Sequence, residues 1–128
     1  MSTMAANPVR DIDWNGVAAD LAPIASDRSD GAIKRKSRDY YWFSPVLKAK
    51  LEDVRADIIV MPESVEELER VVRYSVARRL PITVRGSGTG NYGQAMPLHG
   101  GLILDVTKLD KLLWVKDGRV RVQAGAKM

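Results

Sequence analysis

The segment Val84-Arg85-Gly86-Ser87-Gly88-Thr89-Gly90-Asn91-Tyr92-Gly93 follows directly on an apolar run, residues 80–84, that is typical of a β-strand. Four of the ten glycines of the chain fall within it. Glycine has no Cβ atom and adopts positive φ easily, so such a loop can turn several N–H groups toward one point. N–H groups gathered in this way make a concave anion site, most often for phosphate. We interpret the segment as a phosphate-binding loop, the alternative being a plain turn between two strands.

The composition limits the classes of site that the chain can hold. Its 128 residues, 45% hydrophobic and 28% charged, are typical of one soluble globular domain. Because there is no cysteine, a disulfide scaffold, a thiolate nucleophile and a cysteine-ligated metal are excluded. With His99 as the one histidine, no histidine-based zinc site is expected. Aspartates interrupt the first 30 residues and no apolar run is long enough to span a bilayer, so we expect a cytoplasmic protein without a signal peptide.

A basic block, Lys34-Arg35-Lys36-Ser37-Arg38, stands directly before the aromatic run Tyr40-Tyr41-Trp42-Phe43. Together with the net charge of +4, this pattern permits binding of single-stranded nucleic acid through phosphate contacts and stacking. Nucleic-acid binders usually spread their charge over a surface. We therefore favour a solvated basic helix face followed by an aromatic anchor on the core, and expect no nucleic-acid partner.

Residues 1–54 are predicted to form a helical N-terminal lead-in. Apolar residues at helical spacing predict a first helix over residues 13–26, shortened or bent by Pro23. Shorter helices are predicted over residues 32–38 and 45–51. This part of the chain contains no catalytic pattern.

Residues 55–128 are predicted to form a β-α-β-loop-β unit and then a hairpin. Continuous apolar runs at residues 57–61, 81–84 and 102–106 indicate buried parallel strands. The helix between the first two begins at a capping box of Ser64 and Glu67. Its predicted apolar face consists of Val65, Leu68, Val72 and Val76.

The last part of the chain is predicted to contain one helical turn and a hairpin. Thr107 is expected to cap the turn, residues 108–111, and Asp117-Gly118 is the turn of the hairpin formed by residues 112–115 and 120–123. The fold class is therefore α+β, with a first lobe of the α/β type.

Two common nucleotide-binding motifs do not fit the context of the glycine segment. Residues 88–93 match G-x-G-x-x-G, but the Rossmann fingerprint requires a helix that starts within the glycines. Four helix-breaking residues follow and are not compatible with such a helix: Gly93, Pro97, Gly100 and Gly101. The acidic residues that come next also lie at the wrong distance from the glycines for this fingerprint. A Walker loop needs Gly-Lys-Ser or Gly-Lys-Thr, which is absent. The remaining interpretation is a phosphate site formed by the backbone of a loop between two strands.

From about Arg55 onward the chain resembles a known family, because it contains several of that family's motifs in the same order. They are Pro62-x-Ser64, Pro81-Ile82-Thr83-Val84-Arg85-Gly86-Ser87-Gly88-Thr89, Gly100-Gly101-Leu102-Ile103-Leu104-Asp105 and Val122-Gln123-Ala124-Gly125-Ala126. The chain resembles the FAD-binding domain of the p-cresol methylhydroxylase and vanillyl-alcohol oxidase superfamily, and most of all its FAD-linked oxidoreductases similar to the glycolate oxidase subunit.

The resemblance implies that the glycine loop wraps the FAD pyrophosphate through backbone N–H groups. The implied cofactor-binding residues are Arg85, Gly86, Ser87, Gly88, Thr89, Gly90 and Asn91, with Gly93 and Gln94 at the edge. Some members attach FAD through a histidine at the position of Thr89 or through a cysteine, so non-covalent binding is implied here. Arg85 either helps to hold negative charge or points to solvent. His99 is interpreted as a surface residue, and no catalytic base is named.

Members of this family continue with a second FAD-contacting lobe and a substrate domain. The resemblance thus implies the N-terminal, truncated part of an oxidoreductase that oxidises a hydroxy acid or alcohol, incomplete and inactive alone, with apolar surface left exposed. A non-catalytic module that binds a phosphate ligand or a partner protein is the alternative. A complementing subunit or a homo-oligomer fits either hypothesis.

Overall fold

The computed structural model describes residues 11–127. Its helices are α1 (Trp14–Leu21), α2 (Asp30–Lys36), a 3₁₀ turn (Tyr41–Phe43), α3 (Pro45–Leu51) and α4 (Val65–Ala77). Its strands are β1 (Ala25–Asp27), β2 (Ile58–Met61), β3 (Ile82–Arg85), β4 (Leu102–Asp105), β5 (Leu112–Lys116) and β6 (Arg119–Val122). The α+β class is confirmed. The division of the chain into residues 1–54 and 55–128 stays a prediction, and residues 1–10 and 128 lie outside the described residues.

A four-stranded sheet in the order β1-β2-β4-β3 forms the centre of the fold. The strands β2 and β3 are each parallel to β4, which lies between them, so that Ile58 and Ile82 both pair with Leu102. The predicted parallel unit is confirmed, with the third strand inserted between the first two. Because β3 and β4 are parallel, the loop between them leaves β3 at the carboxyl edge of the sheet and returns to the amino edge to enter β4.

Side chains from the central strands alternate between two buried layers, as the pleat of a strand requires. Ile58 and Val60, with their partners on β4, pack against α1 and α4 on one face. Ile59 and Ile103 pack against Ala32 of α2 on the other face. Each of these isoleucines is fully buried, a burial worth about 2 kcal/mol per side chain. The sheet is thus covered on both faces, as parallel strands require.

The helix predicted over residues 13–26 ends at Leu21, shortened before Pro23 as expected, but the strand that follows it was not predicted. Ala22 precedes Pro23 and has φ −52° and ψ 143°, because the proline ring disfavours the helical conformation for the residue before it. The chain then forms β1, which pairs antiparallel with β2 from Ala25 opposite Met61. The N-terminal segment therefore contributes an edge strand to the sheet. The other two predicted helices are confirmed as α2 and α3, with α2 placed two residues earlier.

The helix α4 is capped by Ser64 as predicted, with the Ser64 hydroxyl accepting from the Glu67 N–H at 3.1 Å. The Glu67 carboxylate accepts from the Glu63 N–H at 2.8 Å and not from that of Ser64, so the second half of the capping box is one residue earlier. The Glu67 carboxylate still satisfies a backbone N–H donor at the start of the helix.

The buried face of α4 differs from the predicted one. Val65 and Val76 are 50% and 68% exposed, whereas Val71 and Ser75 are fully buried. Leu68 and Val72 pack against the core as expected. The hydrophobic pattern missed Ser75 because it counts serine as polar, although its small side chain lets a helix approach a sheet closely.

After β4 the structure has a turn at Thr107 and Lys108 and no helical turn over residues 108–111. The Thr107 N–H and hydroxyl both donate to Asp105 Oδ1, at 2.9 and 2.6 Å, so the Asp105 carboxylate fixes a local turn instead. The hairpin β5–β6 is confirmed. Asp117 and Gly118 have φ values of 51° and 71°, as a two-residue hairpin turn requires.

Candidate functional site

The glycine loop, residues 86–93, leaves the carboxyl end of β3, which is an edge strand of the sheet. Among the described residues, the N–H groups of residues 86–91 have no hydrogen-bond acceptor. The next two are occupied: Tyr92 N–H donates to Gln94 Oε1 at 3.0 Å and Gly93 N–H donates to Asp39 Oδ2 at 2.8 Å. The loop thus presents a run of open backbone donors, which is the feature that an anion site needs.

Two glycines of the loop are required by the packing of the protein itself. Gly88 has φ 68°, and a Cβ atom there would overlap the guanidinium group of Arg85. Gly93 has φ 79°, and a Cβ atom would lie 2.8 Å from Leu51 Cδ1. At Gly86, in contrast, a Cβ atom would meet nothing within 4 Å. Nothing in the described packing requires a glycine at position 86, and its absent side chain leaves the backbone open to the outside.

Arg85 lies beneath the loop and does not point to solvent. Its side chain is 8% exposed and its Nη1 donates to the Arg38 carbonyl at 2.7 Å. Burial lowers the pKa of Arg85, while the nearby carboxylates of Asp105 and Asp39 oppose that shift. A guanidinium group keeps its proton throughout the physiological range. Arg85 therefore places a positive charge behind the loop and ties the loop to the segment that follows α2.

Asp39 holds the far end of the loop, a role that the sequence analysis missed. It is 2% exposed, and its carboxylate accepts from the N–H groups of Gly93 at 2.8 Å and Tyr41 at 2.9 Å. Nearby, Tyr40 N–H donates to the Gly90 carbonyl at 2.9 Å. The bond to Tyr41, two residues on, is a local pattern of aspartate that sequence can suggest. The bond to Gly93 has no local signal.

The segment after α2 is therefore a structural part of the site. The predicted aromatic anchor is only partly correct: Tyr41 is buried, whereas Tyr40, Trp42 and Phe43 are 42%, 37% and 75% exposed. Arg38 lies over the Trp42 ring, 5.1 Å from its centroid, in a cation–π contact. The basic block thus lies beside the glycine loop.

Asp105 pairs in register with Arg85 across the carboxyl ends of β3 and β4. Its carboxylate is 1% exposed and forms an ion pair with Lys36 of α2. Burial alone would raise the pKa of Asp105, but hydrogen bonds from Lys36 and Thr107 hold that pKa below its ordinary value. Charged groups from β3, β4 and α2 therefore meet directly below the loop.

The other residues that the sequence analysis considered lie partly on the loop and partly away from it. Ser87, Thr89 and Asn91 are exposed on the loop, and the Gln94 side chain shapes it by accepting from Tyr92. His99 is exposed and lines a separate open cleft with Trp14 and Asp57. Across residues 11–127 no three histidine or acidic side chains gather as metal ligands, and no helix is long and apolar enough to cross a bilayer.

Known proteins share parts of this sequence and of this fold. The family model described as "FAD binding domain" matches residues 56–128. The chain is 34% identical over 70 residues to the "Uncharacterized oxidoreductase ORF5 in fasciation locus" of Rhodococcoides fascians, covering 55% of this chain and 16% of that protein. It is 31% identical over 72 residues to the glycolate oxidase subunit GlcD of Escherichia coli (strain K12), covering 55% of this chain and 14% of the relative.

A solved structure of an alkyldihydroxyacetonephosphate synthase superposes with a TM-score of 0.65 and 22% identity, covering 80% of this chain and 21% of that one. The chain thus spans less than a quarter of each of the proteins compared with it here. Over the part that it shares with the solved structure, the fold of the chain is similar. The chain belongs to the FAD binding domain family, in the p-cresol methylhydroxylase type found in flavin-dependent oxidoreductases.

Proposed function

We propose that residues 85–94 hold the diphosphate of FAD without a covalent bond, and that the whole protein uses the flavin to oxidise a hydroxy acid or an alcohol. The observation that carries the proposal is the run of N–H groups, residues 86–91, that find no acceptor among the described residues. These residues are half-buried or exposed, so the donors are accessible, and an anionic ligand would bond several of them at once.

The residues around the loop support binding by holding it in shape before the ligand arrives. Asp39 fixes the end at Gly93, Arg85 supports the loop below Gly88, and Gln94 fixes Tyr92. A loop already held in its binding conformation loses less entropy on binding, which favours affinity. Ser87, Thr89 and Asn91 add side-chain groups that can reach a phosphate oxygen.

The relatives and the chemistry of the cofactor support the proposed substrate class. The flavin ring supplies a hydride acceptor, while the protein supplies position and electrostatics. The similarity to a glycolate oxidase subunit supports a hydroxy acid with a C–H bond beside its hydroxyl group. The chain's own part in that reaction is to anchor the diphosphate end of the cofactor.

The test compares two glycines whose replacement leaves the packing undisturbed. A Cβ atom at Gly86 or at Gly31 would meet nothing within 4 Å, and neither residue has positive φ. We expect Gly86→Ala to lower FAD affinity about tenfold, because a methyl group would stand where the ligand approaches the backbone. Gly31→Ala, in α2, should leave affinity unchanged and stabilise the chain by about 0.5 kcal/mol.

The measurement is quenching of FAD fluorescence on titration with the purified chain, together with urea unfolding of each variant. Saturable quenching that Gly86→Ala weakens and Gly31→Ala leaves intact supports the proposal. Absence of saturable quenching by the unaltered chain, or equal affinity in the two variants, contradicts it.

A second candidate is a non-catalytic module that binds another phosphate ligand or a partner protein. It is favoured by the hairpin β5–β6, where Trp114 and Val115 are 44% and 67% exposed. Exposed apolar surface of this kind marks an interaction site. Binding of ADP without binding of FAD would favour this candidate over the first.

A further inference from the structure

A small cleft joins the basic segment after α2 to the glycine loop. On one side it is lined by Arg35, Arg38 and Trp42, and on the other by Ser87 and Gly88, over a volume of about 190 Å³. Pockets that hold a whole drug-sized ligand measure roughly 300–1,000 Å³. The cleft is therefore suited to one polar portion of a larger molecule, and it opens beside the unpartnered N–H groups of the loop.

The charge lining this cleft is positive. Arg35, Arg38 and Arg85 contribute three guanidinium groups, against the single carboxylate of Asp39. That carboxylate already accepts hydrogen bonds from two backbone N–H groups, and Arg85 donates to the Arg38 carbonyl. Within residues 11–127 neither Arg35 nor Arg38 takes part in an ion pair. Their charges are available to a ligand.

Arg38 is held in place by its surroundings. Its guanidinium group lies 5.1 Å from the centroid of the Trp42 ring. This cation–π contact orients the planar guanidinium group and stabilises it moderately. Its backbone carbonyl is fixed by Arg85, the residue that supports Gly88 from below. The basic segment and the loop are thus coupled through one arginine, so the two walls of the cleft keep a defined separation.

We propose that Arg35 and Arg38 form a cationic wall of the dinucleotide site and neutralise the diphosphate that the loop N–H groups hold from the opposite side. This inference rests on the proposed FAD binding and adds to it side chains from the N-terminal segment. Guanidinium groups match phosphate oxygens with paired donors, and their bonds to anions are among the strongest in proteins. A diphosphate diester carries a negative charge on each of its two phosphates, more than the single cation of Arg85 behind the loop would neutralise.

The test uses Arg35→Gln, Arg38→Gln and the double variant, with Arg73→Gln as a matched control. Arg73 lies exposed on α4, pairs among the described residues only with Glu69, and lines no part of the cleft. The ligands titrated are FAD, ADP and riboflavin, because ADP carries the diphosphate without the flavin and riboflavin carries the ring without phosphate. Circular dichroism and urea unfolding check that each variant is folded.

We expect each single variant to weaken FAD and ADP about fivefold and the double variant about thirtyfold, with riboflavin and Arg73→Gln unaffected. The affinity of the unaltered chain for ADP should also fall more steeply with added salt than that of the double variant, because exposed charges are screened.

Three outcomes would overturn the inference, and they are distinguishable from one another. If FAD binds and the cleft variants bind it as well as Arg73→Gln does, the arginine wall is wrong while FAD binding stands. If the variants lose riboflavin affinity equally, the arginines do not act on the diphosphate. If neither FAD nor ADP binds saturably to the unaltered chain, the proposed function and the inference are both wrong.

Discussion

Gly88 in the glycine loop and Gly118 in the hairpin turn have nearly the same positive φ, 68° and 71°. Their surroundings are opposite. A Cβ atom at Gly118 would meet nothing within 4 Å, whereas one at Gly88 would overlap the guanidinium group of Arg85. Both strands of the hairpin are exposed along their length, and the glycine loop stands on buried charged groups.

The difference shows that a positive φ serves two purposes in this protein. The hairpin turn needs positive φ only to reverse the chain, and its neighbours in sequence supply everything else. The glycine loop needs positive φ to pass closely over Arg85, and the residues that hold it come from α2, β4 and the segment around Asp39. A turn of the first kind tolerates change, whereas a loop of the second kind depends on distant parts of the chain.

The largest effect is expected from Asp39→Ala. It removes the acceptor of two N–H groups, those of Tyr41 and Gly93, and should lower the free energy of unfolding by about 3 kcal/mol. In the hairpin, Asp117→Ala should lower it by only about 1 kcal/mol, through the positive φ alone. Urea unfolding of both variants measures the contrast. Equal losses would show that Asp39 does not hold the loop.

An intermediate effect is expected from the two glycines themselves. Gly118→Ala should lower the free energy of unfolding by about 1 kcal/mol and Gly88→Ala by about 2 kcal/mol, since the second also displaces Arg85. Because φ is nearly equal at the two sites, the difference isolates the packing against Arg85. Thermal unfolding measures the stabilities and FAD titration the binding, which only Gly88→Ala should weaken. A larger loss in the hairpin variant would contradict the comparison.

The smallest effect concerns the ion pair below the loop and depends on pH. The pKa of Asp105 is held below its ordinary value of 3.8, so its stabilisation is present above that pH and is lost as pH falls through the folded pKa. Lys36→Gln should lower the free energy of unfolding by about 1 kcal/mol near pH 7. Its difference from the unaltered chain should shrink below about pH 3.8.

The control for this pair is Lys108→Gln. Lys108 forms an exposed pair with Glu63 at 2.7 Å, and surface pairs of this kind contribute little to stability. We expect no change in the urea midpoint near pH 7. Urea unfolding of both variants from pH 3 to pH 7 is the measurement. A Lys36→Gln difference that stays constant over this range would show that the Asp105 carboxylate is not its source.

Local patterns predicted most of the elements, because their causes are close in sequence. Ser64 and Glu67 mark the start of α4, Asp117-Gly118 marks the hairpin turn, and continuous apolar runs mark the three parallel strands. The glycine loop also carries its own signal. For these elements the local conformational preference and the final structure agree.

The parts that sequence did not predict depend on contacts between distant segments. The strand β1 forms because Pro23 ends the helix and because β2 offers an unpaired edge, and only the first cause is visible locally. Asp39 reaches Gly93 across 54 positions, and Arg85 reaches the Arg38 carbonyl across 47. The position of β4 between β2 and β3 is likewise a property of the assembled sheet.

That position of β4 determines which shortened forms of the protein can retain a sheet. The strands β2 and β3 each pair with β4 and not with each other. A polypeptide that ends inside the β3–β4 loop would therefore lack the strand that joins β3 to the rest of the sheet. The same polypeptide would lack Asp105, the register partner of Arg85. During synthesis the central sheet therefore stays open until residue 105 has emerged, and the loop on which ligand binding depends is among the last features of this region to become fixed.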